Sequence, residues 1–283
     1  MSRKPRILVL GKTLPLHDRA SGDYRLFRFL EILVRGGFEV DFLSTTQTAI
    51  HKSSGKVEYF VRDSIFPSHK LELIDSRYIS DLETIGVNPL NKKEIAPFAV
   101  RSAARYDIRP FLKESSYDLV WIEFYYLAEE YVDDIRCLQP QARVICDSVD
   151  LHFRRLAREC NFNEANARYL VNSRQEKRKI GKRYRQHLID QRRHADYVRE
   201  AEIRAYLKCD AVAMVSEDDH QELARHCPSL PLLRVPNIHK RPTVAATEIP
   251  LRERSGCLFV GNFDHSPNLS SCVFLKQIGR AHV

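Results

Sequence analysis

Short apolar runs alternate along the chain with stretches of helical spacing. Ile7 to Leu10 is a continuous apolar run that predicts a strand over 6–10. Behind it Leu26, Phe27, Phe29, Leu30 and Leu33 recur at helical spacing and stop at Gly36 and Gly37, a C-cap signal. A second strand over 38–44 completes one right-handed β-α-β unit. Further strands are expected over 57–61, 118–122, 143–146 and 211–215, each with a polar residue at its C-terminal edge, as in strands covered on both faces. The stretches 91–116 and 125–138 are long enough for crossover helices. The pattern predicts an α/β fold, a doubly wound Rossmann-like parallel sheet.

The stretch 163–208 lacks Pro, and Ile180, Tyr184, Leu188, Ala195, Val198 and Ala201 recur at three, four or seven. It predicts one or two long helices with one apolar stripe, Gly181 being a candidate break. A helix over 217–226, a strand over 232–235 and a stop at Pro236 and Asn237 follow. Residues 240–256 are polar and Pro-punctuated, as in a linker. A new strand over 257–260 and a helix from near Leu269 are expected after it.

With 283 residues, 43% of them hydrophobic, the chain buries a real core, which excludes global disorder. The basic N-terminus precedes an apolar run too short for a signal peptide, and no window approaches the ~18 apolar residues of a membrane span. The seven cysteines are scattered without a Cys-x-x-Cys pair, as expected of reduced thiols. These features point to a cytoplasmic location. His220, His226 and Cys227 sit close in sequence but on a polar helix end, so no metal is expected.

The formal charge of +8 is concentrated. Over 174–193, nine Lys and Arg face only Glu176 and Asp190. A solvated helix face, peripheral contact with an anionic membrane and nucleic-acid contact all fit such a segment. Nucleic acid is the least favoured, since few aromatics and no recognised module surround it. A non-catalytic α/β module that binds an anionic partner through this helix is therefore an alternative to any enzyme.

Several strand ends carry chemistry. Gly11-Lys12-Thr13 imitates the end of a phosphate loop, but the required earlier glycine falls at Arg6, inside the strand. Ser21-Gly22-Asp23-Tyr24-Arg25 lies between the first strand and first helix, at the edge where open α/β sheets bind ligands; Ser21 or Asp23 could equally be a plain N-cap. Asp147, Ser148, Asp150 and His152 follow another strand at the same edge, where they could handle sugar hydroxyls and protons or merely cap a helix. Glu123 and Glu217 end two more strands there. Polar groups from four strand ends thus converge on one crevice.

In order along some 250 residues, Leu14-Pro15-Leu16-His17-Asp18-Arg19-Ala20-Ser21-Gly22-Asp23-Tyr24-Arg25, Asp147-Ser148-Val149-Asp150-Leu151-His152, Val215-Ser216-Glu217, Val235-Pro236-Asn237-Ile238-His239 and Leu258-Phe259-Val260-Gly261 resemble landmarks of glycosyltransferase family 4. The resemblance implies a GT-B enzyme, in which two Rossmann-like domains face each other across a cleft. The first binds the acceptor and the second a nucleotide-sugar, and transfer proceeds with retention, without metal or cofactor. It implies catalytic roles for Glu123, Asp150 and His152, acceptor contacts from Gly22, Asp23, Arg25 and Asp147, and donor contacts from Gly261 and Asn262.

On this reading residues 1–239 form the acceptor-side domain, 240–256 the linker and 257–276 the start of a truncated donor-side domain. The tail 277–283 breaks the amphipathic pattern before it and matches a translated sequencing-adapter string, so it is expected to be non-native. The expected function is transfer of a sugar to a glycan or lipid-linked acceptor in polysaccharide or glycoconjugate biosynthesis by the intact parent, this chain alone being inactive.

Overall fold

The apolar runs become strands of one seven-stranded sheet in a computed structural model that describes residues 3–18, 20–45, 48–51, 56–59, 72–75, 77–90, 106–166, 174–239, 250–261, 268, 271–272 and 274–275. The chain divides into two compact units, 1–239 and 240–283.

In the first unit, β1 (Arg6–Gly11), α1 (Ser21–Arg35) and β2 (Glu39–Ser44) form the expected β-α-β unit, with Gly36 donating its N–H to Ile32 at the helix end. Three short strands follow, β3 (Thr48–His51), β4 (Lys56–Tyr59) and β5 (Glu72–Asp75), then α2 (Arg77–Thr84) and β6 (Val87–Pro89). The chain continues through α3 (Arg109–Glu114), β7 (Leu119–Glu123), α4 (Tyr125–Leu138), β8 (Arg143–Asp147), α5 (His152–Asn166), α6 (Arg174–Leu207), β9 (Ala211–Met214), α7 (Glu217–His226) and β10 (Leu232–Arg234).

The sheet order is β10-β9-β8-β7-β1-β2-β6, and every ladder in it is parallel. Read in order along the sheet, the strands run outward from β1 in one direction and, after β6, outward from β7 in the other. This is the doubly wound Rossmann arrangement with one strand added, and its switch point lies between β1 and β7.

Alternation along the central strands sends side chains to two cores. Leu8, Leu10, Val120, Ile122, Val144 and Cys146 join residues of α3, α4 and α6 on one face. Ile7, Val9, Phe42 and Trp121 meet α1 and α2 on the other. Leu8, Val9 and Leu10 have no exposed surface, because β1 is covered on both sides.

The stretch 57–61 departs from expectation. Its described residues lie in β4, the centre of a separate antiparallel sheet ordered β3-β4-β5. Only four residues join His51 to Lys56, a link that permits a hairpin but not the long crossover a parallel pair requires. The edge of the main sheet is taken by β6, three residues ending in Pro89, whose missing N–H an edge strand tolerates. Gly181 does not break α6, which runs 34 residues through it. Of the expected crossover over 91–116, α3 is the described helix, and 91–105 lie outside the described residues.

In the second unit, residues 257–260 have no ladder partner among the described residues, and Leu258 and Val260 are 91% and 84% exposed. An apolar run becomes a strand only when a neighbour takes up its backbone N–H and C=O groups. Residues 268, 271–272 and 274–275 are helical.

Gly11 owes its identity to packing. A Cβ there would lie 2.7 Å from Cζ of Phe42, which is fully buried. Gly11→Ala is expected to cost about 1–3 kcal/mol in urea unfolding, the usual penalty for overpacking, and Phe42→Leu in that background should recover part of it. A Phe42→Leu effect that simply adds to that of Gly11→Ala would exclude this account.

Candidate active site

Three of the segments singled out in the sequence meet at the carboxyl edge of the sheet. Arg25, in the second turn of α1 and 2% exposed, donates from Nη1 and Nη2 to the Asp147 carboxylate at the end of β8, at 2.6 and 3.2 Å. Its Nη2 also donates to the carbonyl of Val235 just beyond β10, at 2.8 Å. The Tyr24 and His239 rings stack beside this junction, 6.1 Å apart. Arg25 and Asp147, read from sequence as acceptor contacts, are thus used on each other. Neither Ser21 nor Asp23 caps α1, whose N-cap position is Ala20 with no side-chain bond. Around Gly22 a Cβ would meet nothing within 4 Å, so no close approach requires the glycine.

Glu123 ends β7 at the switch point, almost fully buried. Burial raises its carboxyl to about 8, and the neighbouring Asp23 and Asp147 carboxylates push the same way, against a backbone N–H from Lys12 and the Arg25 charge. Glu123 is therefore protonated at neutral pH and able to donate a hydrogen bond. The Lys12 ammonium lies 5.6 Å over the Tyr126 ring.

His152 opens α5 inside an aromatic rim, its ring edge-on to Tyr125, Phe124 and Tyr126 at 5.2, 5.9 and 6.1 Å. Burial lowers its pKa, and the charges of Arg155 and Lys12 add to this against the carboxylate and the backbone of Asp150. Its Nδ1 is buried without a hydrogen-bond partner, Asp150 Oδ1 standing 3.8 Å away. A buried imidazole nitrogen left open in this way is available to a hydroxyl. Asp150 itself is 43% exposed and pairs with Arg155 Nε at 2.9 Å.

Strained backbone shapes both strand ends. Phe124, directly after β7, has φ 68° and ψ 145°, and its N–H donates to the Asp147 carbonyl. Val149 has φ 59°, and the Asp150 N–H reaches the Ser148 carbonyl at 2.7 Å, closing a three-residue γ-turn of the strained hand. Such conformations in Phe and β-branched Val cost of order 1–3 kcal/mol and concentrate at functional sites.

Glu217 stands apart, exposed and 3.5 Å from Arg234, while Ser216 provides the N-cap of α7. Gly261 belongs to the second unit, where a Cβ would press on Asn268 and Phe259; Asn262 lies outside the described residues. Among the described residues no group of three His, Cys, Asp or Glu is placed to hold a metal ion, and no helix is long and apolar enough to cross a membrane.

Sequence reasoning set Lys12 aside with the rejected phosphate loop and missed Glu202. Lys12 could have been found from its place at the end of the switch-point strand. Glu202, fully buried on α6, shows as a carboxylate on the apolar stripe of Val198, Ala201 and Ala205.

No protein-family model and no curated protein matches the chain. Among solved structures it is similar to Glycyrrhiza uralensis UGT73P12 complexed with glycyrrhetinic acid 3-O-monoglucuronide, at 9% identity and a TM-score of 0.41. The match covers 82% of this chain and 49% of that one, so the chain spans about half the length of that protein. The doubly wound architecture rests on the strand order and not on this likeness.

Two predictions follow from the electrostatics. Glu123 and Glu202, raised to about 8 and about 7 from an ordinary 4.5, bind protons in the fold that the unfolded chain has released. Their contribution is complete below about pH 4.5 and is lost as pH rises toward 8. Urea midpoints should therefore fall between about pH 5 and 8, with a shallower slope in Glu123→Gln; an unchanged slope would show that Glu123 titrates normally. Separately, Asp147→Asn leaves the Arg25 charge buried without its partner and should cost about 3–5 kcal/mol. Replacing Arg25 and Asp147 together by Met and Leu should cost much less in the same unfolding measurement.

Proposed function

We propose that this chain carries the acceptor side of a glycosyltransferase whose intact form moves a sugar from a nucleotide-sugar to a glycan or lipid-linked acceptor, with retention, in polysaccharide or glycoconjugate biosynthesis. The supporting observation is that a protonated Glu123 and Lys12 stand at the ends of the two strands flanking the switch point of a doubly wound sheet, while Lys12 and the His152 ring with its open Nδ1 share the Tyr126 ring beside them. That is where such folds bind ligands. The family resemblance of the segments at this edge supports the same reading.

In this proposal His152 Nδ1 accepts a hydrogen bond from the acceptor hydroxyl and orients it. Glu123 donates to a sugar oxygen, and the rings of Phe124, Tyr125 and Tyr126 keep water from the reacting centre. The bond from the anomeric carbon to the diphosphate breaks as the bond to the acceptor oxygen forms, and the hydroxyl proton leaves toward the diphosphate. Charge on the leaving group is handled by the donor-side domain, of which 257–276 is the first piece and Gly261 and Asn262 the first contacts. Arg25 and Asp147 then serve the site by holding its walls.

The basic segment 174–193 is proposed to contact the anionic inner face of a membrane. Among the described residues Lys182, Arg183, Arg185 and Arg193 are exposed without a carboxylate partner, whereas Arg199 and Arg204 further along α6, and Lys208 just beyond it, pair with Asp196, Glu129 and Asp133. Ile189, 42% exposed, sits among the unpaired cations.

Two measurements test these readings. Sugar transfer to the acceptor by the full-length gene product should fall by about 10²-fold in His152→Ala, the usual cost of losing the orientation of a reacting group. Turnover that survives this change refutes the assignment. Flotation should recover the protein with anionic but not neutral vesicles, with binding lost in a Lys182, Arg183, Arg185 and Arg193 to Gln variant; equal recovery with both lipids removes the membrane contact.

A further inference from the structure

Helix α5 begins at His152 with backbone N–H groups that no intrahelical carbonyl can satisfy, and the residue before it, Leu151, has no side-chain acceptor. The acceptor comes from another helix. Glu202 of α6, with no exposed surface, takes the His152 N–H on Oε1 at 3.2 Å and the Phe153 N–H on Oε2 at 2.9 Å. Tyr206, one turn further along α6, donates its hydroxyl to the same Oε1 at 2.6 Å. A carboxylate some fifty positions distant in sequence thus supplies the cap that α5 lacks. One of the two amides it holds belongs to the residue whose imidazole nitrogen is left open.

We infer that Glu202 is a positioning residue, its carboxylate steadied by Tyr206 so that the first turn of α5 keeps the His152 imidazole inside the rim of Phe124, Tyr125 and Tyr126. The functional consequence rests on the role proposed for His152; the positioning does not.

Glu202 is faced by Asp150 and His152 at the start of α5, by Tyr125 of α4, by Cys146 of β8 and by Tyr206 on its own helix. Burial raises its carboxyl to about 7 and Asp150 adds to the rise, while Tyr206 and the two amides oppose it. Ionisation above neutrality strengthens the two hydrogen bonds from the amides at the α5 N-terminus, but burying that charge costs the fold more than the bonds return, so stability still falls as pH rises through about 7.

Histidine NMR on the 283-residue chain tests the positioning without any assay of turnover. The His152 ring resonance, assigned as the one missing in His152→Ala, should be displaced by its three aromatic neighbours and titrate below the ordinary 6.5. In Glu202→Ala the displacement should collapse and the midpoint move up toward 6.5. Tyr206→Phe keeps both the carboxylate and the ring, so it should shift the signal the same way by less; it carries the test if Glu202→Ala does not fold. An unchanged shift and midpoint in Tyr206→Phe, and in Glu202→Ala where folded, overturn the inference.

In the full-length product, Glu202→Ala should lower kcat by about 10–100-fold, the cost of misplacing a reacting group by about an ångström, with the acceptor KM moving less than about threefold. A His152 signal that responds to Glu202 while His152→Ala retains full turnover would sink the glycosyl-transfer reading and leave the positioning standing.

Discussion

The buried ion pair between Arg25 and Asp147 holds the carboxyl edge of this sheet together. It joins α1, β8 and the end of β10 through one guanidinium, with both side chains almost free of solvent. Two charges withdrawn from water in this way need good geometry to break even, and the fork of the guanidinium on the carboxylate supplies it. What the pair contributes is placement more than net stability. With β8 anchored by Asp147, the Phe124 N–H finds its acceptor on the Asp147 carbonyl, and the chain leaves β7 in the strained conformation that swings Phe124, Tyr125 and Tyr126 around His152.

Around that anchor the electrostatics separate the titratable groups by environment. Glu123 and Glu202 are buried beside other carboxylates with too little positive charge to offset desolvation, so both rise toward or past neutrality. Asp147 is raised by the same burial, with the Arg25 charge and its hydrogen bonds opposing the rise. His152 is pushed the other way and stays neutral, because burial disfavours its charged form as well. The result at neutral pH is an edge with a carboxyl that donates, an imidazole with one nitrogen open, and an ammonium over an aromatic ring. This is a set suited to hydroxyl-bearing ligands, and it requires the helix α6, whose Glu202 holds the imidazole's own backbone.

Much of the fold was legible in the chain. The runs at β1, β7, β8 and β9 are short and continuously apolar because both faces of a central parallel strand are covered, and β2 departs from this only at Glu39, Asp41 and the terminal Ser44. Helix α7 was readable from Ser216 and the acidic first turn behind it. The stretch 57–61 misled because apolar content alone does not say which sheet a strand joins. Residues 257–260 misled because a ladder needs a partner. The three residues of β6 fall below any periodicity.

The site divides along the same line. Sequence alone determined that polar residues stand at strand ends on one edge, since strand polarity in a doubly wound sheet places every carboxyl end on the same side. Only the tertiary structure decided what each of them does. Arg25 and Asp147 are close enough to neutralise each other, Glu217 turns away to Arg234, and Glu202 reaches two amides from a helix that sequence marked for its basic face and apolar stripe but not for this carboxylate. The physical reason is range: apolar periodicity reports which side of an element is buried, whereas ion pairing, desolvation and hydrogen bonding depend on separations of a few ångströms between residues far apart in the chain.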